Sequence, residues 1–210
     1  MDARNGHEIV QRLKQQYPSV RCTLDYETPI HLLIATQLSA QCTDERVNIV
    51  TRDLFIRYKT AEDFTKLDQE TLIGYIRSTG FFNSKSRNIL KSVWMIHENY
   101  SGEIPGNMED LLKLPGVGRK TANVLLGELY GIPGIIVDTH AIRLSNRIGL
   151  TGETDPEKIE RDLMKIIPRE EWTGFSHRLV HHGRNVCRAH RPSCTECVIE
   201  PCCGFPGKRI

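Results

Sequence analysis

The chain has 210 residues and a formal charge of +2, long enough for one sizeable core or two smaller ones but too weakly basic to announce a nucleic-acid partner by charge alone. No apolar run approaches the ~20 residues of a membrane span, and Met1 to Gln16 is polar and mixed in charge, unlike a secretory signal, so a soluble, cytoplasmic protein is expected. Of seven cysteines, Cys22 and Cys42 are isolated and five crowd between 187 and 203, which argues for a local metal site rather than a disulfide framework.

Helical signals recur along the chain. Ile9, Val10, Leu13 and Tyr17 keep helical spacing, and Pro18 ends that element. Thr28 reads as an N-cap with Pro29 at the first helical position, opening an apolar and buried helix through Ile30, Leu33, Ile34 and Leu38. After a polar corner from Ser39 to Thr43, the residues Val47, Val50, Leu54 and Tyr58 mark an amphipathic helix, and Thr60 with Asp63 and Asp68 before Leu72 open two short ones. Gly80 breaks the pattern. Phe81-Phe82-Asn83 is expected in the loop that follows, ahead of a long helix carrying Ile89, Leu90, Val93, Ile96 and Tyr100.

From Asn107 to Gly131 two short helices flank Leu114-Pro115-Gly116-Val117-Gly118-Arg119-Lys120, a helix-hairpin-helix. Two glycines let the backbone turn tightly and approach a partner closely, and the first amides of the second helix point outward as a sequence-independent phosphate seat. Ile135-Ile136-Val137 is too short and isolated to imply a sheet, and Asp138 stands where a helix starts that ends at Gly149. Asp155-Pro156 opens a further helix and Phe175 to Val186 forms the last, giving roughly ten helices and an all-α fold.

The tail reads Cys187-x6-Cys194-x2-Cys197-x5-Cys203, with Cys202 as a neighbour. These thiolates can surround a zinc ion or a 4Fe-4S cluster, and the open six-residue loop suits the larger group better. That loop carries Arg188 and Arg191. With Arg178, Arg184, His177, His181 and His182 just upstream it forms the strongest basic concentration in the chain, a candidate phosphate-contacting patch. Lys120 lies in the first turn of the hairpin's second helix, where the dipole disfavours an ammonium, and a neutral amine can form a Schiff base. On spacing alone a phosphate-binding lysine and a simple N-cap at Asp138 remain open.

Leu-Pro-Gly-Val-Gly-Arg-Lys-Thr-Ala at 114–122, Val-Asp-Thr-His at 137–140, Leu-Ser-Ala-Gln at 38–41 and the four-cysteine tail together resemble the endonuclease III family of helix-hairpin-helix base-excision DNA glycosylases. The resemblance implies a bifunctional N-glycosylase and AP lyase that removes oxidised pyrimidines from duplex DNA and nicks the abasic site by β-elimination. It implies Lys120 as the nucleophile on C1′ and Asp138 as the carboxylate that stabilises positive charge on the sugar. Gln41 matches the residue that fills the space left by an extruded nucleotide, and Phe81 matches the opposite-strand wedge, aliphatic in most of the family. Leu114, Gly116, Val117, Gly118 and Arg119 of the hairpin, His140, and the arginines 184, 188 and 191 complete the expected DNA contacts. The same resemblance selects Cys187, Cys194, Cys197 and Cys203 as ligands of a 4Fe-4S cluster.

Its implied organisation is two helical subdomains with the active-site cleft between them. One is a six-helix barrel over residues 21–134 with the hairpin at 107–131, and the other is a cluster domain from 1–20 and 135–210. The expected partner is damaged double-stranded DNA, bound by a monomer without a membrane. Two alternatives stand beside this reading: a monofunctional mismatch glycosylase acting on adenine or thymine, and a non-catalytic DNA-binding or redox module.

Overall fold

The computed structural model describes residues 3–208 and contains eleven α-helices and no β-strand among them. The chain divides into two units. One comprises the described residues of Met1–Arg21 and Ile132–Ile210, and the other is the continuous stretch Cys22–Gly131.

The continuous unit is built around helix α2 (Pro29–Leu38), which packs against α3 (Asp44–Arg57), α6 (Phe82–Asn99) and α8 (Arg119–Tyr130). Thr28 caps α2 by accepting from the His31 amide, and every residue from Ile30 to Leu38 is buried, as its apolar composition dictates. Full burial of each Leu or Ile side chain contributes about 1.5–3 kcal/mol. The short helices α4 (Ala61–Thr65) and α5 (Gln69–Ile76) lie against α6. Thr60 and Asp63 form a reciprocal capping box at α4, and Asp68 caps α5. Helix α7 (Met108–Lys113) precedes the hairpin turn, and α8 ends at Gly131 in the left-handed conformation.

One boundary differs from the sequence expectation. Phe82 and Asn83 belong to the first turn of α6, and only Phe81 remains in the loop as its N-terminal flanking residue. No capping side chain marks this start, so composition alone could not place it.

In the discontinuous unit, α1 (Ala3–Gln16) packs on α10 (Pro156–Ile166) and α11 (Trp172–Asn185), and α9 (Thr139–Ile148) packs on α10 and α11. Ile9, Val10 and Leu13 are fully buried among Leu144, Leu163, Phe175 and Leu179. Residues 135–137 are extended and buried without a strand partner. Their backbone is satisfied by α11 instead: Ser176 Oγ accepts from the Ile136 amide at 2.9 Å, and Thr173 Oγ1 accepts from the Gly134 amide at 3.3 Å.

Candidate functional site

The hairpin turn of the continuous unit is held from behind. Gln37 Nε2 and Ser92 Oγ, both buried, donate to the Pro115 carbonyl at 2.8 and 2.7 Å, fixing the peptide that precedes Gly116. Gly116 has φ +77°, and a Cβ there would stand 3.0 Å from Cβ and Nδ2 of Asn88, so glycine is favoured by conformation and by packing. Gly118 differs. Its φ is −101° and nothing lies within 4 Å of an added Cβ, so the fold itself does not demand glycine there.

Gly118 is the N-cap of α8 and brings no side chain to the first-turn amides. Gly116, Gly118 and Lys120 are exposed, and Arg119 is half-buried. Leu114 and Val117, expected among the DNA contacts, are buried at 2% and 7% exposure, so what they can offer a partner is backbone. Lys120 acts electrostatically on the thiol of Cys22, which burial pushes up to about 11 while the lysine pulls it down.

Gln41 and Phe81 occupy two loops of the same unit. Both are exposed and both have left-handed backbone, with φ of 53° and 47°. Non-glycine residues adopt this conformation only when their surroundings impose it. Phe81 is 65% exposed.

In the discontinuous unit Asp138 caps α9, its Oδ1 accepting from the Ala141 amide at 2.8 Å. His140 is half-buried and lies 3.2 Å from Arg143 Nη2, which also donates to the carbonyls of Gly183 and Cys187 at 3.1 Å. Gly183 permits this approach, because a Cβ would lie 2.6 Å from His140 Nδ1. Burial holds the Arg143 guanidinium below its ordinary range, opposed by Cys187 and Asp138.

Cys187, Cys194, Cys197 and Cys203 line one cavity together with Arg147 and His182, and Cys202 does not line it. None of the seven cysteines is in a disulfide. Among the described residues no three metal-binding side chains stand close enough to hold a single ion, so what the four sulfurs share is a cavity rather than a closed tetrahedral cage. The donor set fits a cluster with thiolate ligands. Burial pushes the Cys197 thiol up to about 11, so cationic iron would have to favour its ionised form.

His182 is fully buried and burial lowers its pKa to about 4, so it is neutral. It sits 3.2 Å from the Tyr17 hydroxyl through Nδ1 and 3.4 Å from Cys197 Sγ through Nε2. A thiolate only accepts, so this geometry suits an Nε2–H donor to sulfur and a tyrosine hydroxyl that donates to Nδ1. Arg147 closes the other side, donating to the carbonyls of Arg188 and Ala189 at 2.8 and 2.6 Å and lying 4.9 Å over the Phe205 ring.

Arg184, Arg188 and Arg191 are exposed, consistent with a basic surface. Arg178 and His182 are not part of it. Arg178 is 6% exposed, donates to Glu171 at 2.8 Å and to the Tyr17 carbonyl at 3.3 Å, and thereby joins α1 to α11. Sequence reasoning also missed Gln37, Ser92 and Arg143, whose partners are far away in the chain.

The sequence model of the HhH-GPD superfamily of base excision DNA repair proteins matches residues 34–169. The endonuclease III of Synechocystis sp. is 53% identical, over 93% of this chain and 90% of its own. The solved structure of a non-covalent endonuclease III–DNA complex superposes with a TM-score of 0.92 at 41% identity, covering 97% of this chain and 96% of that one. A second structure, a trapped endonuclease III–DNA covalent intermediate, gives the same TM-score, identity and coverage.

Proposed function

The chain belongs to the HhH-GPD superfamily of base excision DNA repair proteins, and on that premise we propose that it is a bifunctional DNA glycosylase and AP lyase acting on oxidised pyrimidines in duplex DNA. The observation that carries the proposal is Lys120, an exposed amine in the second position of a helix whose N-cap is a bare glycine in a hairpin turn. The hairpin amides bind phosphate without reading sequence, which holds the duplex in register. The related structure trapped as a covalent intermediate with DNA supports a covalent step in the reaction.

In this reading the Lys120 amine attacks C1′ of an extruded nucleotide through its nitrogen lone pair, and the N-glycosidic bond breaks with its electron pair leaving on the base, which takes up a proton. Sugar-ring opening yields an imine. Loss of a C2′ proton then expels the 3′ phosphate by β-elimination. Asp138, fixed by its bond to the Ala141 amide, stabilises positive charge developing on the sugar. Gln41 and Phe81 enter the stack, and an aromatic ring at 81 can stack on a base as well as wedge. Arg184, Arg188 and Arg191 supply further phosphate contacts.

Cys187, Cys194, Cys197 and Cys203 would hold a 4Fe-4S cluster, which when bound cross-links the C-terminal tail. The arginine loop needs less from it than its length suggests, because Arg147 already bonds two of its carbonyls.

Borohydride reduction of an imine tests the chemistry. A duplex carrying one oxidised pyrimidine should yield a covalent protein–DNA adduct with the native chain and none with Lys120→Ala. An adduct that survives this substitution would move the nucleophile elsewhere.

A further inference from the structure

Lys85 contradicts its local setting. It lies in the first turn of α6, where the helix dipole disfavours a cation, and it is only 7% exposed. Its side chain resolves the conflict by reaching away from its own helix. Nζ donates to the carbonyls of Leu38 and Thr79, each at 2.8 Å. Leu38 is the last residue of α2, and Thr79 the last of the 3-10 turn Arg77–Thr79. One ammonium therefore sits at the negative ends of two helical segments and satisfies a carbonyl that each leaves open. Burial lowers its pKa, opposed by Cys42.

Both tethered carbonyls open onto the loops described above. Gln41 follows Leu38 by three residues and Phe81 follows Thr79 by two. Gln41 and Phe81 are two of the three non-glycine residues with positive φ among the described residues. The amides of Ser84 and Lys85 both donate to the Phe81 carbonyl, at 3.1 and 3.0 Å, so Lys85 holds that loop at two points. Strained backbone under an exposed side chain persists only where the surroundings over-determine it, and Lys85 Nζ bonds the carbonyl that leads into each loop.

We propose that Lys85 is a positioning residue that fixes the spacing of the Gln41 and Phe81 loops, so that the two side chains enter the duplex as one preset fork. This rests on the reading of Gln41 and Phe81 as the groups that invade the stack. Misplacement by about 1 Å can cost two orders of magnitude in rate, so the clamp can matter greatly without touching substrate.

Lys85→Met keeps the stem and removes the donors. Single-turnover base release from lesion-bearing duplex should fall about 10-fold or more, while borohydride trapping on a single-stranded oligonucleotide with a preformed abasic site, which has no stack to invade, stays within about twofold. In a Gln41→Ala, Phe81→Ala background the same substitution should cost nothing more on duplex. Equal losses on both substrates, full additivity in that background, or an unchanged duplex rate would each overturn the proposal.

If Lys85→Met fails to fold, Lys85→Arg retains a cation with displaced donors and should show the same substrate split at smaller size. Equal effects on both substrates would overturn the proposal there too. A native chain that traps neither substrate instead sinks the lyase assignment to Lys120. The clamp is then judged by 2-aminopurine fluorescence in duplex on binding, which Lys85→Met should reduce and which an intact signal would refute.

Discussion

Gly116→Ala and Gly118→Ala add the same methyl group two residues apart in one turn, yet the structure assigns them opposite consequences. At Gly116 an alanine inherits φ +77°, which costs an L-residue about 1–2 kcal/mol. Its Cβ also falls 3.0 Å from Cβ and Nδ2 of Asn88, so the amide must leave its rotamer and the backbone of α6 must give slightly, at about 0.5–1.5 kcal/mol. Reduced freedom of the unfolded chain returns about 0.4–1 kcal/mol. The expected net loss is about 0.5–3 kcal/mol. At Gly118 φ is ordinary and the space is open. The weaker N-cap costs about 0.5–1 kcal/mol and the unfolded-state term offsets most of it. Urea unfolding at constant slope measures both. Gly116→Ala should lower the midpoint clearly, and adding Asn88→Ala should recover only the share due to the amide group, because Cβ of residue 88 stays 3.0 Å away and the conformational cost is untouched. Gly118→Ala should leave the midpoint almost unchanged while weakening binding to undamaged duplex, because a methyl group then stands before the hairpin amides. Equal destabilisation by the two substitutions would refute the packing argument, and undiminished duplex affinity of Gly118→Ala would refute the phosphate seat.

The cavity lining separates adjacent cysteines: Cys203→Ser should abolish the broad visible absorption of a purified iron-sulfur protein, whereas Cys202→Ser should keep it. Equal colour in both variants would contradict that assignment. His31, stacked on Phe55 at 4.0 Å with Nε2 bonded to the Tyr58 carbonyl at 2.8 Å, has a buried Nδ1 without a hydrogen-bond partner. Burial lowers its pKa from 6.5, outweighing the Tyr58 carbonyl, so its contribution to stability is complete above pH 6.5 and is lost as pH falls through the lowered value. His31→Phe should lose about 1 kcal/mol at pH 8 with that hydrogen bond, yet show a shallower decline in acid. An equally steep acid decline in the variant would remove His31 from the account.

What could be read from sequence was local. Thr28 with Pro29, the Thr60–Asp63 pair, Asp68 and Asp155 announce their helices because a capping side chain bonds an amide only two or three residues away. The hairpin and its Lys120 were legible for the same reason, as contiguous residues in a turn. The supports behind them were not. Gln37 and Pro115 are separated by 78 residues, and Lys85 and Leu38 by 47, so neither pairing leaves a mark in a local window. Arg178 shows the converse failure. Its neighbours Arg184 and Arg188 made it look like surface charge, while its partner Tyr17 lies 161 residues away. The start of α6 was displaced because Phe81, in left-handed backbone, is not a residue that ordinarily occupies that conformation.

The discontinuous unit has a consequence for synthesis. Helix α1 emerges from the ribosome ahead of its packing partners, because the residues that cover Ile9, Val10 and Leu13 include Leu163, Phe175 and Leu179, translated after the whole of Cys22–Gly131. The stretch Cys22–Gly131, by contrast, contains all of its own helices and can complete its core while the chain is still growing. The nascent protein thus passes through a stage in which the hairpin-bearing unit is folded and an amphipathic N-terminal helix waits with its apolar face unburied.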